Sequence, residues 1–178
     1  MSKPAIRRAG LGMALLILLA DQASKAWIVH GLRLPELGSV RLLPFLSLTW
    51  VENRGITFGL LNGAGSLGSV LLTLVALAVV AALTVWLWRA ERVLVALALG
   101  AIIGGAVGNN LFDRPRLGYV IDFVHLHAWG WSWYVFNLAD AAIVCGVAAL
   151  VLDGIIDRPS RHARRDCLED APDRRYKK

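Results

Sequence analysis

Asp122 stands in the apolar stretch YVIDFVHL (119–126), and Asn137 and Asp140 open YVFNLADAAIVCGVAALVLDG (134–154), a run long and apolar enough to lie in a bilayer. An ionised carboxylate at membrane depth is costly unless paired, and marks a functional site by default. Neither Asp122 nor Asp140 has a Lys or Arg neighbour in its own segment. Two such groups brought together share one proton, because like charges in close contact raise one pKa and leave the other low. The ionised member then takes a proton from water while the protonated member hydrogen-bonds a carbonyl, the chemistry of aspartic peptide hydrolysis. The pair titrates as a unit, so sequence does not say which Asp holds the proton.

The other costly polar residues have structural readings beside the chemical one. Asp21 and Lys25 are four apart on one helix face and read first as a structural ion pair. Asn53 and Arg54 form a polar corner, ENRG. Asn109, Asn110, Asp113 and Arg114 precede Pro115, which is expected to end their helix, and Asp113 with Arg114 reads as a helix-end pair. Asn137 and Asp140 could cap orphan amides, although Asp140 lies inside its helix rather than before it. Rival chemistries fare worse. His125 and His127 lack a third metal ligand in their loop and there is no HExxH, so no metal is expected. Ser66 and Ser69 have no His within a span to activate them, Cys145 has no base beside it, and no glycine-rich phosphate loop is present, so no cofactor is expected either.

The elements that must position these groups are membrane helices. The chain is 57% hydrophobic with mean hydropathy +0.57, and its apolar residues come in runs rather than alternating. Four windows, Leu11–Val29, Leu67–Trp88, Val93–Leu111 and Val135–Ile156, approach or exceed the ~20 residues that cross a hydrocarbon core. The first follows Lys3, Arg7 and Arg8 like a secretory signal, but no A-x-A cleavage site follows it, so it is kept as a helix. With the N-terminus inside, thirteen of the 19 Lys and Arg fall in inner segments, which predicts both termini cytoplasmic and explains the pI near 9.9 without nucleic acid. Asp21, Lys25, Asn53, Arg54, Asn109, Asn110, Asp113, Arg114, Asp122, Asn137 and Asp140 then all fall at the outer side.

Between the first two spans, FLSLTWV (45–51) alternates like a half-buried strand and ITFGLL (56–61) is a second strand candidate, together a small sheet on the outer surface. The second and third spans form a hairpin turning at Arg89–Arg92. Gly100, Gly104 and Gly108 recur every four residues, for close helix packing. Trp86 and Trp88 at one end and Trp129, Trp131 and Trp133 at the other read as interfacial anchors. Cys145 in a span and Cys167 in the tail are not expected to pair. Residues 1–156 make one membrane domain, and residues 157–178, mixed in charge, are expected to be a disordered basic tail.

In order and spacing, DQASK (21–25), NRGITF (53–58), NLFDR (110–114) followed by GYVIDF (118–123), and FNLAD (136–140) resemble the signatures of lipoprotein signal peptidase, or signal peptidase II, from about residue 15 to 156. Singly each motif is weak; five in order across four spans are specific. The resemblance implies a bacterial inner-membrane aspartic endopeptidase that removes the signal peptide of diacylglyceryl-modified prolipoproteins, cutting before the lipidated cysteine and inhibited by globomycin. It implies Asp122 and Asp140 as catalytic, with Asp21, Lys25, Asn53, Gly55, Asn110, Asp113, Arg114 and Asn137 in support. It also implies a β-cradle and a mobile outer loop, matched to residues 45–61 and 117–133. Two positions depart from the family: Thr57 stands where Ala is usual, and Asn109 where Gly or Ser is usual.

The expected fold is therefore an all-α transmembrane bundle of four helices with a small outer β-sheet, a monomer meeting prolipoprotein substrate and membrane lipid. A rival reading is a small ion- or proton-coupled carrier using the same carboxylates, which would need polar groups through the inner half of the bundle. A non-catalytic scaffold is a third, and predicts that both Asp residues are replaceable.

Overall fold

In the computed structural model the backbone is described for residues 1–55 and 65–169, and side chains for residues 1–55, 68 and 70–156. The ITFGLL strand candidate and Thr57 lie outside the described residues. The tail, expected to be disordered from residue 157, instead continues α6 in its backbone as far as Glu169; its side chains and its backbone beyond Glu169 lie outside the described residues.

Four helices are long and apolar enough to cross a membrane. Helix α1 (Lys3–Ala26) begins at Lys3 rather than Leu11, with Pro4 in its first turn, where a missing N–H costs nothing. It runs through a π-helical turn, Trp27–Gly31, into the short α2 (Leu34–Leu37). Helix α3 (Gly65–Arg89) and helix α4 (Val93–Ala106) form the expected hairpin. The third span does not stop before Pro115. It continues as a π-helical segment, Val107–Asp113, and then α5 (Arg114–Leu117), where Pro115 occupies the first turn and Gly118, at φ 80°, ends it. Helix α6 (Leu138–Glu169) completes the bundle.

α4 is the central helix and packs chiefly against α1 and α6. Its glycines permit this. A Cβ on Gly100 would strike Gly10 of α1, one on Gly104 would strike the Ala14 carbonyl, and one on Gly105 would lie 2.6 Å from the Ala139 oxygen of α6. Leu15, Leu16, Leu19, Val70, Leu74, Val144 and Val151 point outward, as lipid-facing positions require. At one end Lys3 reaches Glu91 (2.9 Å), Arg7 donates to the Trp88 carbonyl (3.0 Å), and Arg92 grips Asp153 of α6 (2.7 Å).

The opposite end carries a four-stranded antiparallel sheet in the order β1 (Ser39–Leu43), β2 (Leu46–Asn53), β3 (Val120–Ala128), β4 (Trp131–Ser132). Alternation in sequence identifies β2; β1 and β3 carry no such signal. The stretch 117–133, expected to be a mobile loop, is instead mostly β3 and a hairpin. Trp129 and Gly130 both have positive φ (47° and 82°), the backbone of a two-residue turn that matches strand twist. Register puts Val40, Leu48 and Val124 on one face and Arg41, Ser47 and His125 on the other. Such amphipathy suits a sheet with one face away from water.

Candidate active site

The site is built where β3 meets the start of α6. A bridge between Val124 and Phe136, each amide bonding the other's carbonyl (2.8 and 3.0 Å), fixes the chain entering α6 against β3. The bridge draws the start of α6 alongside β3, and there Asn137 Nδ2 donates to Asp122 Oδ1 (2.7 Å). This bridge is why α6 begins at Leu138 rather than Val135.

Asn137 and Asp140 form a capping box. Asn137 Oδ1 accepts from the Asp140 amide (3.0 Å), and Asp140 Oδ2 accepts from the Asn137 amide (3.1 Å). Asp140 can reach back because it lies inside the helix, at its third position, so the placement expected to weigh against capping is what makes it possible. Capping leaves Asp140 Oδ1 for another donor, the Asn109 amide nitrogen (2.8 Å). Another first-turn amide, that of Ala139, donates to Asp21 Oδ1 of α1 (3.1 Å).

Asp122 accepts a second bond from Asn53 Nδ2 at Oδ2 (3.0 Å), and Asn53 Oδ1 turns to the Gly55 amide (3.2 Å). Asp122 is 2% exposed. Burial, reinforced by the charge of Asp140 and opposed by the Asn53 and Asn137 donors and by Lys25, pushes its pKa up to about 7.

Behind the two carboxylates lies a buried charge cluster. Lys25 Nζ is 2.7 Å from Asp21 Oδ2, as the i, i+4 spacing foretold, and 2.6 Å from Asp113 Oδ2, the latter too oblique for a hydrogen bond and held by charge. The expected Asp113–Arg114 pair is replaced by this cross-helix pairing. Arg114 instead donates from Nη2 to the Gly55 carbonyl (2.7 Å) and from Nε to Asn110 Oδ1 (3.1 Å). Its Nη1 is buried with no hydrogen-bond partner among the described residues. Buried charges are tolerated only when paired and hydrogen-bonded, and Gln22 supplies further donors to Asp21 (3.1 Å) and Asp113 (3.0 Å).

All ten residues assigned from sequence thus fall in one connected network. Two further members, Gln22 and Asn109, lie outside those ten. Gln22 sits inside DQASK, and its spacing from Asp21 carries no signal of a bond to another helix. The motif points to Asn110, yet it is Asn109 that contacts Asp140, Asn137 and Lys25. Among the described residues no group of three or more His, Cys, Asp or Glu could hold a metal ion.

Known proteins resemble this chain over most of its length. It is 51% identical over 152 residues to a lipoprotein signal peptidase of Methylorubrum extorquens (strain PA1), covering 85% of this chain and 88% of the relative. It is 48% identical over 140 residues to a lipoprotein signal peptidase of Beijerinckia indica, covering 79% and 83%. A solved structure described as a bacterial membrane enzyme has the same fold, with a TM-score of 0.68 at 23% identity over 95% of this chain and 93% of that one. A second, also described as a bacterial membrane enzyme, gives a TM-score of 0.67 at 25% identity over 81% and 90%. The profile described as signal peptidase (SPase) II matches residues 13–156, a stretch that holds both carboxylates and every residue bonded to them, and the chain belongs to that family.

Proposed function

We propose that this membrane protease is an aspartic endopeptidase that removes the signal peptide from diacylglyceryl-modified prolipoproteins, cutting before the lipidated cysteine. The observation that carries the reading is Asn137, which bonds Asp122 through its side chain and Asp140 through its backbone, and so holds two carboxylates at one site without a cation between them. Asp140, at the N-terminus of α6 where the helix dipole favours negative charge, is the base that takes a proton from water. Asp122, in its neutral form, donates to the scissile carbonyl oxygen as the water oxygen attacks the carbon. The tetrahedral intermediate then collapses: the C–N bond breaks as the proton on Asp140 passes to the departing amine, and a hydroxyl proton returns to Asp122 as the carbonyl re-forms. The unpartnered Nη1 of Arg114 is a donor for a second substrate carbonyl.

In this reading the enzyme is a monomer of the bacterial inner membrane with both termini cytoplasmic and the site toward the outer face. The distribution of Lys and Arg supports that orientation, and so does the clustering of Lys3, Arg92 and Asp153 at the end opposite the sheet. Substrate enters sideways from the bilayer, and globomycin competes for the two carboxylates. The carrier alternative needs a polar path. Between Asn109 and the Arg92–Asp153 pair, the buried positions of α4 are Ala, Leu, Ile and Gly.

The test is cleavage of a diacylglyceryl-modified prolipoprotein by purified wild type, Asp122→Asn and Asp140→Asn, with thermal unfolding of each in detergent. Each variant should stay folded and lose roughly 10²–10⁴-fold in rate. Near wild-type cleavage by either folded variant would make that Asp structural.

A further inference from the structure

The third span carries two consecutive asparagines, and the family motif aligns with the second, Asn110. The fold treats them differently. Asn109 is 5% exposed and lies among three polar partners. Its Oδ1 accepts from Lys25 Nζ (2.7 Å) and from Asn137 Nδ2 (3.1 Å), and its Nδ2 donates to Asp140 Oδ1 (2.8 Å). Asn110 makes no described contact with either carboxylate. Its Nδ2 returns to the Ala106 carbonyl (3.4 Å) and its Oδ1 receives Arg114 Nε (3.1 Å).

Both asparagines lie in the π-helical segment Val107–Asp113, and such segments recur at functional sites. Asn109 and Asp113, four apart, both face Lys25, and Asn110 and Arg114, also four apart, meet along the next line. Gly108 makes room for this: a Cβ there would lie 2.7 Å from Asp21 Oδ2.

We propose that Asn109 is the positioning residue of the third span, its carbonyl held by Lys25 so that its amide nitrogen is aimed at Asp140 Oδ1. Lys25 cannot both serve Asp21 and Asp113 and reach Asp140 directly. Asn109 passes on its orienting effect without placing a cation against the base, which leaves Asp140 ionised yet reactive. With Lys25 occupying the carbonyl end, the Asn109 amide cannot flip, and Asp140 always faces a donor. The assignment rests on the two-carboxylate reading of Asp122 and Asp140.

Four variants of the full chain, Asn109→Ala, Asn109→Asp, Asn110→Ala and Asp140→Asn, are compared by kcat and KM on a diacylglyceryl-modified prolipoprotein, with unfolding temperature in detergent. Asn109→Asp matters most, because it keeps an acceptor for Lys25 and removes the donor to Asp140. A purely structural Asn109 tolerates that change; a positioning Asn109 does not. The expected result is a fall in kcat of roughly 10- to 100-fold for both Asn109 variants, the worth of one hydrogen bond to a charged group, with KM within about threefold. Asn110→Ala reaches the site only through Arg114 and should act mainly on KM. Where Asn109→Ala fails to fold, Asn109→Asp decides. A folded Asn109→Asp with wild-type kcat overturns the proposal, as does a kcat loss confined to Asn110→Ala. Cleavage by folded Asp140→Asn is a different failure, since it removes the two-carboxylate reading itself.

Discussion

Asp122 keeps its proton to higher pH because of its surroundings more than because of any single partner. Its pKa of about 7 is set first by burial and then by Asp140, and the two amides that bond it only partly offset them. The folded state keeps a proton that the unfolded chain releases near pH 4, so the Asp122 contribution to stability is complete below that pH and is lost as pH rises toward about 7. Asp122→Asn cannot titrate. The unfolding temperature of the variant relative to wild type should therefore rise between pH 5 and pH 8, since a tenfold difference in proton affinity between folded and unfolded chain is worth ~1.4 kcal/mol. Wild-type cleavage should fall on the alkaline side near pH 7, as the carbonyl loses its proton donor. An alkaline limb well above that range would show that Asp122 is not the titrating acid.

At the scale of elements, three local devices place the site: the capping box that starts α6, the π-helical segment that ends the third span, and the bridge from β3 to Phe136. None works unless α1 and α4 approach closely enough for Lys25 to reach across, and that approach depends on glycine. Gly104 abuts the Ala14 carbonyl, and a Cβ there would lie 3.0 Å from Ile17 Cβ, whereas Gly12 has nothing within 4 Å. Gly104→Val should cost roughly 1–3 kcal/mol of stability by overpacking and lower activity by moving Lys25. Gly12→Val should do neither. Unfolding in detergent beside a cleavage assay checks both. Equal tolerance of the two changes would mean that the α1–α4 contact is looser than the structure has it. Legibility of the sheet also turns on local detail. The alternation in FLSLTWV is enough to find β2, while VIDFVHLHA, apolar at both parities near Asp122, gives no period-two signal and reads as a loop.

Across the whole molecule, polar groups collect at two ends and the middle is apolar. One end holds the site. The other is tied by Arg92, whose Nη1 and Nη2 meet both oxygens of the largely buried Asp153 at 2.8 and 2.7 Å and join the α3–α4 turn to α6. Because Arg92 is about half exposed, water screens the pair. Asp153→Ala should lower the unfolding temperature by an amount worth about 1–2 kcal/mol while leaving the cleavage rate per folded molecule unchanged. A large loss of activity without loss of fold would mean that this end communicates with the site at the other, which an apolar middle gives no means to do.

The sequence by itself determined the membrane class, the four spans and the hairpin of α3 and α4, and its motifs pointed to ten residues that the fold joins in one network. Long apolar runs and isolated carboxylates within them have few physical explanations in a bilayer, and each is readable locally. Tertiary structure alone decided the partners. That Asp113 pairs with Lys25 rather than Arg114, that Asp140 caps α6, and that Asn109 rather than Asn110 faces the carboxylates depend on helix register and on contacts between spans. A π-helical segment rotates every residue after it relative to an α-helix, and spacing along the chain carries no sign of that turn.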